Sequence, residues 1–331
     1  MVEVNTITFG IDAEEQAREQ ALRQHFARFW ETARGAPRAI YDAFIVACPV
    51  VGDVTLTPVS DDAVQGWWVR PSQAEPRAAM LFIHGGGFVQ GSAAAYRGFA
   101  SQLVQRTGIA ALVIDYPLAP EAAVPAAADA ALAAWQWLVT QGYERIAVVG
   151  DSAGGGLTLV TLARLAQRAR QAVQSPRTGH ASPVMPVAGI AFSPWTDLAF
   201  SGASMTDPAV QDPLIGFEYL QHCARQYLCA NDARDPLASA LYSDMRDLPP
   251  LLIQVGSDER LLDDSRQYAA RAAQAGVPVR LEIWEGMHHV FQLDVPHLES
   301  SRKALDRAAG FLADAFQLAP PHEPHRMNAT A

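Results

Sequence analysis

The chain reads as an α/β protein with a doubly wound, mostly parallel sheet, and three observations predict this. Apolar runs of strand length alternate with longer Ala- and Leu-rich stretches of helical composition, the order that joins parallel strands through crossover helices. Several of those runs are apolar throughout rather than alternating, as strands covered on both faces must be. The turns that carry glycine, serine and histidine fall just past strand ends, the edge of an open α/β sheet where ligands gather.

Taken in order, residues 11 to 34 repeat Ala21, Leu22, His25, Phe26, Phe29 and Trp30 at helical spacing. This is an amphipathic helix with an aromatic face, suited either to packing on the domain or to covering a pocket. Val50 to Ser60 and Ala63 to Arg70 are β-rich and flank Asp61-Asp62, a hairpin signal. Ala78 to Ile83 is a third strand and runs into His84-Gly85-Gly86-Gly87. Helix Tyr96 to Thr107, strand Ile109 to Tyr116, helix Pro125 to Gln141 and strand Arg145 to Val149 then alternate. A helix from Leu157 to Arg170 is followed by a Gln-, Ser- and Pro-rich loop over Gln171 to Pro186, and by strand Val187 to Phe192. Ser193 to Leu248 interrupts the alternation and holds a helix at Phe217 to Leu228, which is where an inserted cap fits. Strand Leu251 to Val255, helix Leu262 to Ala275, strand Val279 to Trp284 and helix Leu298 to Phe316 complete eight strands. The expected organisation is an N-terminal helical part of a cap over 1–45, a catalytic domain over 46–198 and 230–318, and an inserted helical cap segment over 199–229. The tail, 319–331, reads as disordered.

Composition narrows the function. About 50% of the 331 residues are apolar and 18% charged, which supports a large core. A net charge of −10 and a single lysine, Lys303, argue against nucleic acid or an anionic membrane as partner and favour an uncharged small molecule. Cys48, Cys223 and Cys229 are odd in number and lack C-x-x-C spacing, so neither a disulfide framework nor a zinc site is implied. Met1 to Gly10 has no basic and apolar leader pattern and no apolar run reaches spanning length, so cytoplasmic residence is the expectation.

Three strand-end turns carry the chemistry. Gly150-Asp151-Ser152-Ala153-Gly154 is a G-x-S-x-G pattern between a buried strand and a helix. Such a pattern arises by chance in roughly one chain of this size in ten, so its strand-turn-helix context decides the reading. There a sharp turn presents Ser152 as a nucleophile, with the helix N-terminus favouring negative charge beside it. His84-Gly85-Gly86-Gly87 exposes backbone N–H groups where an oxyanion would form; a phosphate loop would need G-x-G-x-x-G spacing or a P-loop lysine. In Gly286-Met287-His288-His289 the adjacent histidines invite a metal reading, but consecutive side chains point apart and no ligand cluster accompanies them. Between serine and histidine, Ser257-Asp258-Glu259 supplies carboxylates just past a strand.

HGGGF at 84–88, DYPLAPE at 115–121, GDSAGG at 150–155, SPWTDL at 193–198, DPLAS at 235–239 and GMHHVF at 286–291 together resemble the hormone-sensitive-lipase-like esterases of bacteria. The resemblance implies an α/β-hydrolase fold with a helical cap, no cofactor and no metal, and hydrolysis of short-to-medium-chain carboxylic esters through an acyl-enzyme. It places the nucleophile at Ser152, the oxyanion donors at Gly86, Gly87 and Ala153, and the base at His289, with His288 a spacer. Setting the family's D-P-L-x-D acid motif on this chain puts the triad acid at Glu259, with Leu261 and Asp263 in register, or at Asp258 if the register is off by one. Pro117 and Ala240 depart from the family's usual arginine and proline. Lactones are the alternative substrate, and a receptor on the same fold is a distant one, since such receptors lose the histidine. An exposed final strand or helix is a candidate surface for a homodimer, as in relatives of that family.

Overall fold

The computed structural model describes residues 3–174 and 183–318. In chain order the elements are β1 (Asn5–Phe9), α1 (Ala13–Thr32), α2 (Pro37–Ile45), β2 (Val54–Ser60), β3 (Gln65–Pro71), β4 (Ala78–Ile83), α3 (Arg97–Thr107), β5 (Ala110–Asp115), α4 (Ala126–Thr140), β6 (Arg145–Asp151), α5 (Ser152–Gln174), β7 (Ala188–Phe192), α6 (Phe217–Leu228), β8 (Leu251–Gly256), α7 (Leu262–Gln274), β9 (Val279–Trp284) and α8 (Glu299–Phe316). They form one sheet in the order β1-β9-β8-β7-β6-β4-β5-β3-β2. Only the pairings of β3 with β2 and with β5 are antiparallel. This is the α/β-hydrolase architecture.

The sheet has nine strands, where the sequence reading expects eight. The ninth is β1, inside a stretch assigned to a helical N-terminal part, and it pairs in parallel with β9 at the sheet edge. Its alternation of Ile7 and Phe9 with Thr6 and Thr8 is too short to stand out. What secures it is distant: Phe9 stacks on Trp284 with ring centroids 4.3 Å apart. The helix after the serine also runs longer than expected, to Gln174, so the start of the expected loop is helical. The rest of that loop, 175–182, and the tail at 319–331 lie outside the described residues.

Alternation along the central strands builds the two layers. Ala79, Leu81 and Ile83 of β4 face a core shared with α4, α5 and α7, whereas Ala78, Met80 and Phe82 face a core shared with α3 and α8. Each buried Leu, Ile or Phe adds about 1.5–3 kcal/mol, so the sheet centre is rigid and its C-terminal edge is a firm platform. A third cluster joins Leu22 and Phe26 of α1 to Trp284, Met287 and Phe291, which ties the N-terminal helix to the chain after β9. Among the described residues no helix is long and apolar enough to cross a membrane. All three cysteines are free.

Candidate active site

Ser152 stands where β6 turns into α5, with φ +52°, a left-handed conformation that a side chain adopts only under constraint. The constraint is close packing of backbone on backbone. A Cβ on Gly154 would lie 2.1 Å from the Ile83 carbonyl oxygen, and one on Gly150 would lie 2.4 Å from that of Gly154. Only glycine fits at these two positions. The bend leaves the Ser152 hydroxyl at the start of α5 and facing the loops after β4 and β9.

The loop after β4 carries Gly86 at φ +114° and Gly87 at φ +61°. The N–H groups of Gly86 and Gly87 donate to no other backbone group among the described residues. Their surroundings hold them in place. Asp151 accepts from Gly85 N at 2.9 Å and from the Tyr96 hydroxyl at 3.0 Å, binding the serine turn to the glycine loop. Burial pushes the Asp151 carboxyl up to about 7, against the pull of the Tyr96 and Gly85 hydrogen bonds. His84 Nδ1 donates to Gly85 O at 2.7 Å, and its ring stacks on Tyr116 with centroids 4.4 Å apart. Tyr116 in turn donates to His84 O at 2.9 Å. The DYPLAPE stretch therefore props the glycine loop.

His289, in the loop after β9, has Nε2 2.9 Å from Ser152 Oγ and Nδ1 3.2 Å from Glu259 Oε1. Glu259 is fully buried and its other oxygen accepts from Ser193 Oγ at 2.7 Å and Gly256 N at 3.0 Å. Burial works against a charge on His289, but the Glu259 hydrogen bond and carboxylate, with Asp212 and Asp151 near by, outweigh it and raise the imidazole pKa. Asp258 is not in this chain of contacts. Its side chain is half exposed and pairs with Arg23 of α1 at 3.2 Å. His288 also points away: Nδ1 lies 2.9 Å from Glu19 and Nε2 2.9 Å from Asp294. Burial disfavours its charge, yet the two carboxylates prevail and push its pKa up to about 10. The adjacent histidines thus belong to separate networks.

Ser152 and His289 open onto a cavity of about 510 Å³. One wall comes from Trp30, Tyr41 and Phe44 of the N-terminal helices, another from Leu214, Ile215 and Tyr219 before and within α6. Asp151 is the one carboxylate among the lining residues, and none carries a Lys or Arg side chain. The aromatic face of α1 is divided: Leu22 and Phe26 pack into the domain, while Trp30 reaches the cavity. Sequence reasoning did not single out Tyr41, Phe44, Tyr219 or Ser193. The first three carry no motif signal, and Ser193 lies in a stretch noted only for its resemblance.

Residues 80–293 match a family model described as the alpha/beta hydrolase fold. The chain is 37% identical over 303 residues to an acetyl-hydrolase of Streptomyces hygroscopicus, covering 89% of this chain and 96% of that protein. It is 33% identical over 282 residues to an esterase of Acinetobacter venetianus, covering 84% and 88% respectively. A crystal structure of an esterase from the bacterial hormone-sensitive lipase family superposes with a TM-score of 0.81 at 35% identity, over 92% of this chain and 99% of that one. The chain belongs to the bacterial hormone-sensitive-lipase-like family of α/β-hydrolases.

Proposed function

We propose that this carboxylic ester hydrolase is a serine enzyme in which Ser152 attacks the ester carbonyl carbon, His289 accepts the serine proton, and Glu259 orients the imidazole. The observation that carries this reading is the continuous line from Ser152 Oγ to His289 Nε2 at 2.9 Å and from His289 Nδ1 to Glu259 Oε1 at 3.2 Å. With Nδ1–H donating to a carboxylate, Nε2 is the free base that faces the hydroxyl. As the carbonyl oxygen becomes an oxyanion it is received by the N–H groups of Gly86, Gly87 and Ala153. One such donor is worth about 3 kcal/mol in a serine hydrolase. His289 then returns its proton to the leaving alcohol, which leaves Ser152 acylated. Water, deprotonated by the same imidazole, releases the acid.

The substrate class follows from the cavity. Walls of Trp30, Tyr41, Phe44 and Tyr219, with no Lys or Arg among the lining side chains, suit an uncharged ester of short-to-medium acyl chain. Similarity to an acetyl-hydrolase and to an ethyl acetate hydrolase of Pseudomonas putida supports the short end of that range. We assign α1, α2 and the 199–229 segment as the cap over the site, because Trp30, Tyr41 and Phe44 line one side of the cavity and Leu214 and Tyr219, near and within α6, line the other. Ser152→Ala tests the mechanism. It keeps the turn, so folding is retained while p-nitrophenyl butyrate turnover falls below about a thousandth of the parent rate. A variant that turned over faster than that would remove Ser152 from the nucleophile's role.

A further inference from the structure

Ser193 and Trp195, just past the end of β7, contact two members of the proposed triad, Ser152 and Glu259, and the residue that follows the third. Trp195 N donates to the Ser152 carbonyl oxygen at 3.0 Å. Ser193 Oγ donates to Glu259 Oε2 at 2.7 Å and accepts from the backbone N of Val290 at 3.1 Å. Val290 directly follows His289. One hydroxyl therefore joins the far side of the carboxylate to the backbone of the histidine loop, and with one proton and two lone pairs it can serve both partners at once. Ser193 and the Val290 that it bonds are both held in unusual conformations, with φ +46° and +51°. A β-branched residue such as Val290 adopts that region only when its surroundings compel it. Ser193 is fully buried, and its own N–H donates to Gln254 O at 2.7 Å, which anchors it to β8.

We propose that Ser193 is a positioning residue of the reaction, whose hydroxyl keeps the Glu259 carboxylate and the His289 loop in mutual register. The proposal rests on the triad reading above. Among the described residues the Glu259 oxygen facing His289 has the imidazole as its one hydrogen-bond partner, so the carboxylate's rotation is set at its other oxygen, by Ser193 Oγ and Gly256 N. Removing the hydroxyl leaves the carboxylate held there by Gly256 N alone and frees the chain beside His289. Ser193 is not among the residues lining the cavity, so binding should be spared while turnover suffers.

The experiment compares Ser193→Ala, Ser193→Gly and Glu259→Gln with the parent, using p-nitrophenyl butyrate and counting active sites by burst titration. Alanine and glycine both delete the hydroxyl, but glycine also relieves the strained φ, so the glycine variant should melt higher than the alanine variant. The expected result is a kcat per active site lowered about ten- to hundredfold in both Ser193 variants, with KM within about threefold of the parent. Two outcomes overturn the proposal. In one, either folded variant keeps kcat per active site within about threefold of the parent while Glu259→Gln is crippled, so that the triad stands without it. In the other, kcat recovers along with melting temperature in Ser193→Gly, so that the serine serves the backbone only. Full activity in Glu259→Gln would remove the triad reading and the proposal together.

Discussion

Asp258 and Glu259 are neighbours in the chain and end on opposite sides of their loop. Glu259 is fully buried with Oε1 3.2 Å from His289 Nδ1, whereas Asp258 is half exposed and paired with Arg23. Consecutive residues leaving a strand point in opposite directions, so only one of the two can meet the imidazole. Glu259→Gln should cost up to about four orders of magnitude in kcat, through loss of the required histidine tautomer. Asp258→Asn, which loosens one surface pair, should stay within a few-fold of the parent. Saturating-substrate assays of the two variants decide it, and a crippled Asp258→Asn beside an active Glu259→Gln would reverse the assignment.

Glycine replacements should separate space from propensity. Gly154→Ala would place a Cβ 2.1 Å from Ile83 O, so the serine turn must shift. Both melting temperature and activity should fall. Gly310, inside α8, has no atom within 4 Å of an added Cβ. Gly310→Ala should therefore stabilise the fold by up to about 1 kcal/mol with activity unchanged, as read by urea denaturation and a parallel assay.

His288 should make stability depend on pH. Its folded pKa, pushed up to about 10 by Glu19 and Asp294, lies above the ordinary histidine value of 6.5. The folded state thus holds a proton that the unfolded chain gives up. The stabilisation is fully present below about pH 6.5 and is lost as pH rises through about 10. Its size should be on the order of a few kcal/mol. Denaturant midpoints from pH 6 to 10 should fall more steeply for the parent than for His288→Gln, which has no proton to lose. Parallel slopes would show that the histidine is neutral in the fold.

Acyl preference should follow the walled cavity. Among p-nitrophenyl esters from acetyl to palmitoyl, kcat/KM should be highest for short chains and fall once the acyl group outgrows the space between Trp30, Tyr41, Phe44 and Tyr219. A rate that peaks at palmitoyl and jumps when the substrate forms micelles would instead indicate docking at a lipid surface.

What the sequence alone determined is what short-range chemistry encodes. The strand-turn-helix at Ser152, the run of glycines after His84 and the buried apolar strands each depend on residues within a few positions of one another, so a single chain displays them. The nine-strand sheet, the partner of His289 and the cavity walls depend on side chains brought together from far apart. Strand β1 exists because it pairs with Arg280 to Trp284, and Glu19 meets His288 across most of the chain. A one-residue ambiguity between Asp258 and Glu259 has no resolution in local pattern, because both are carboxylates on one loop. Packing separates the two, burying Glu259 between Ser193, Gly256 and His289 and leaving Asp258 to Arg23 at the surface. Ser193 shows the same limit: the SPWTDL stretch it opens carries a resemblance but no role for its hydroxyl, and its place between Glu259 and Val290 is made only when β7, β8 and the chain after β9 lie side by side.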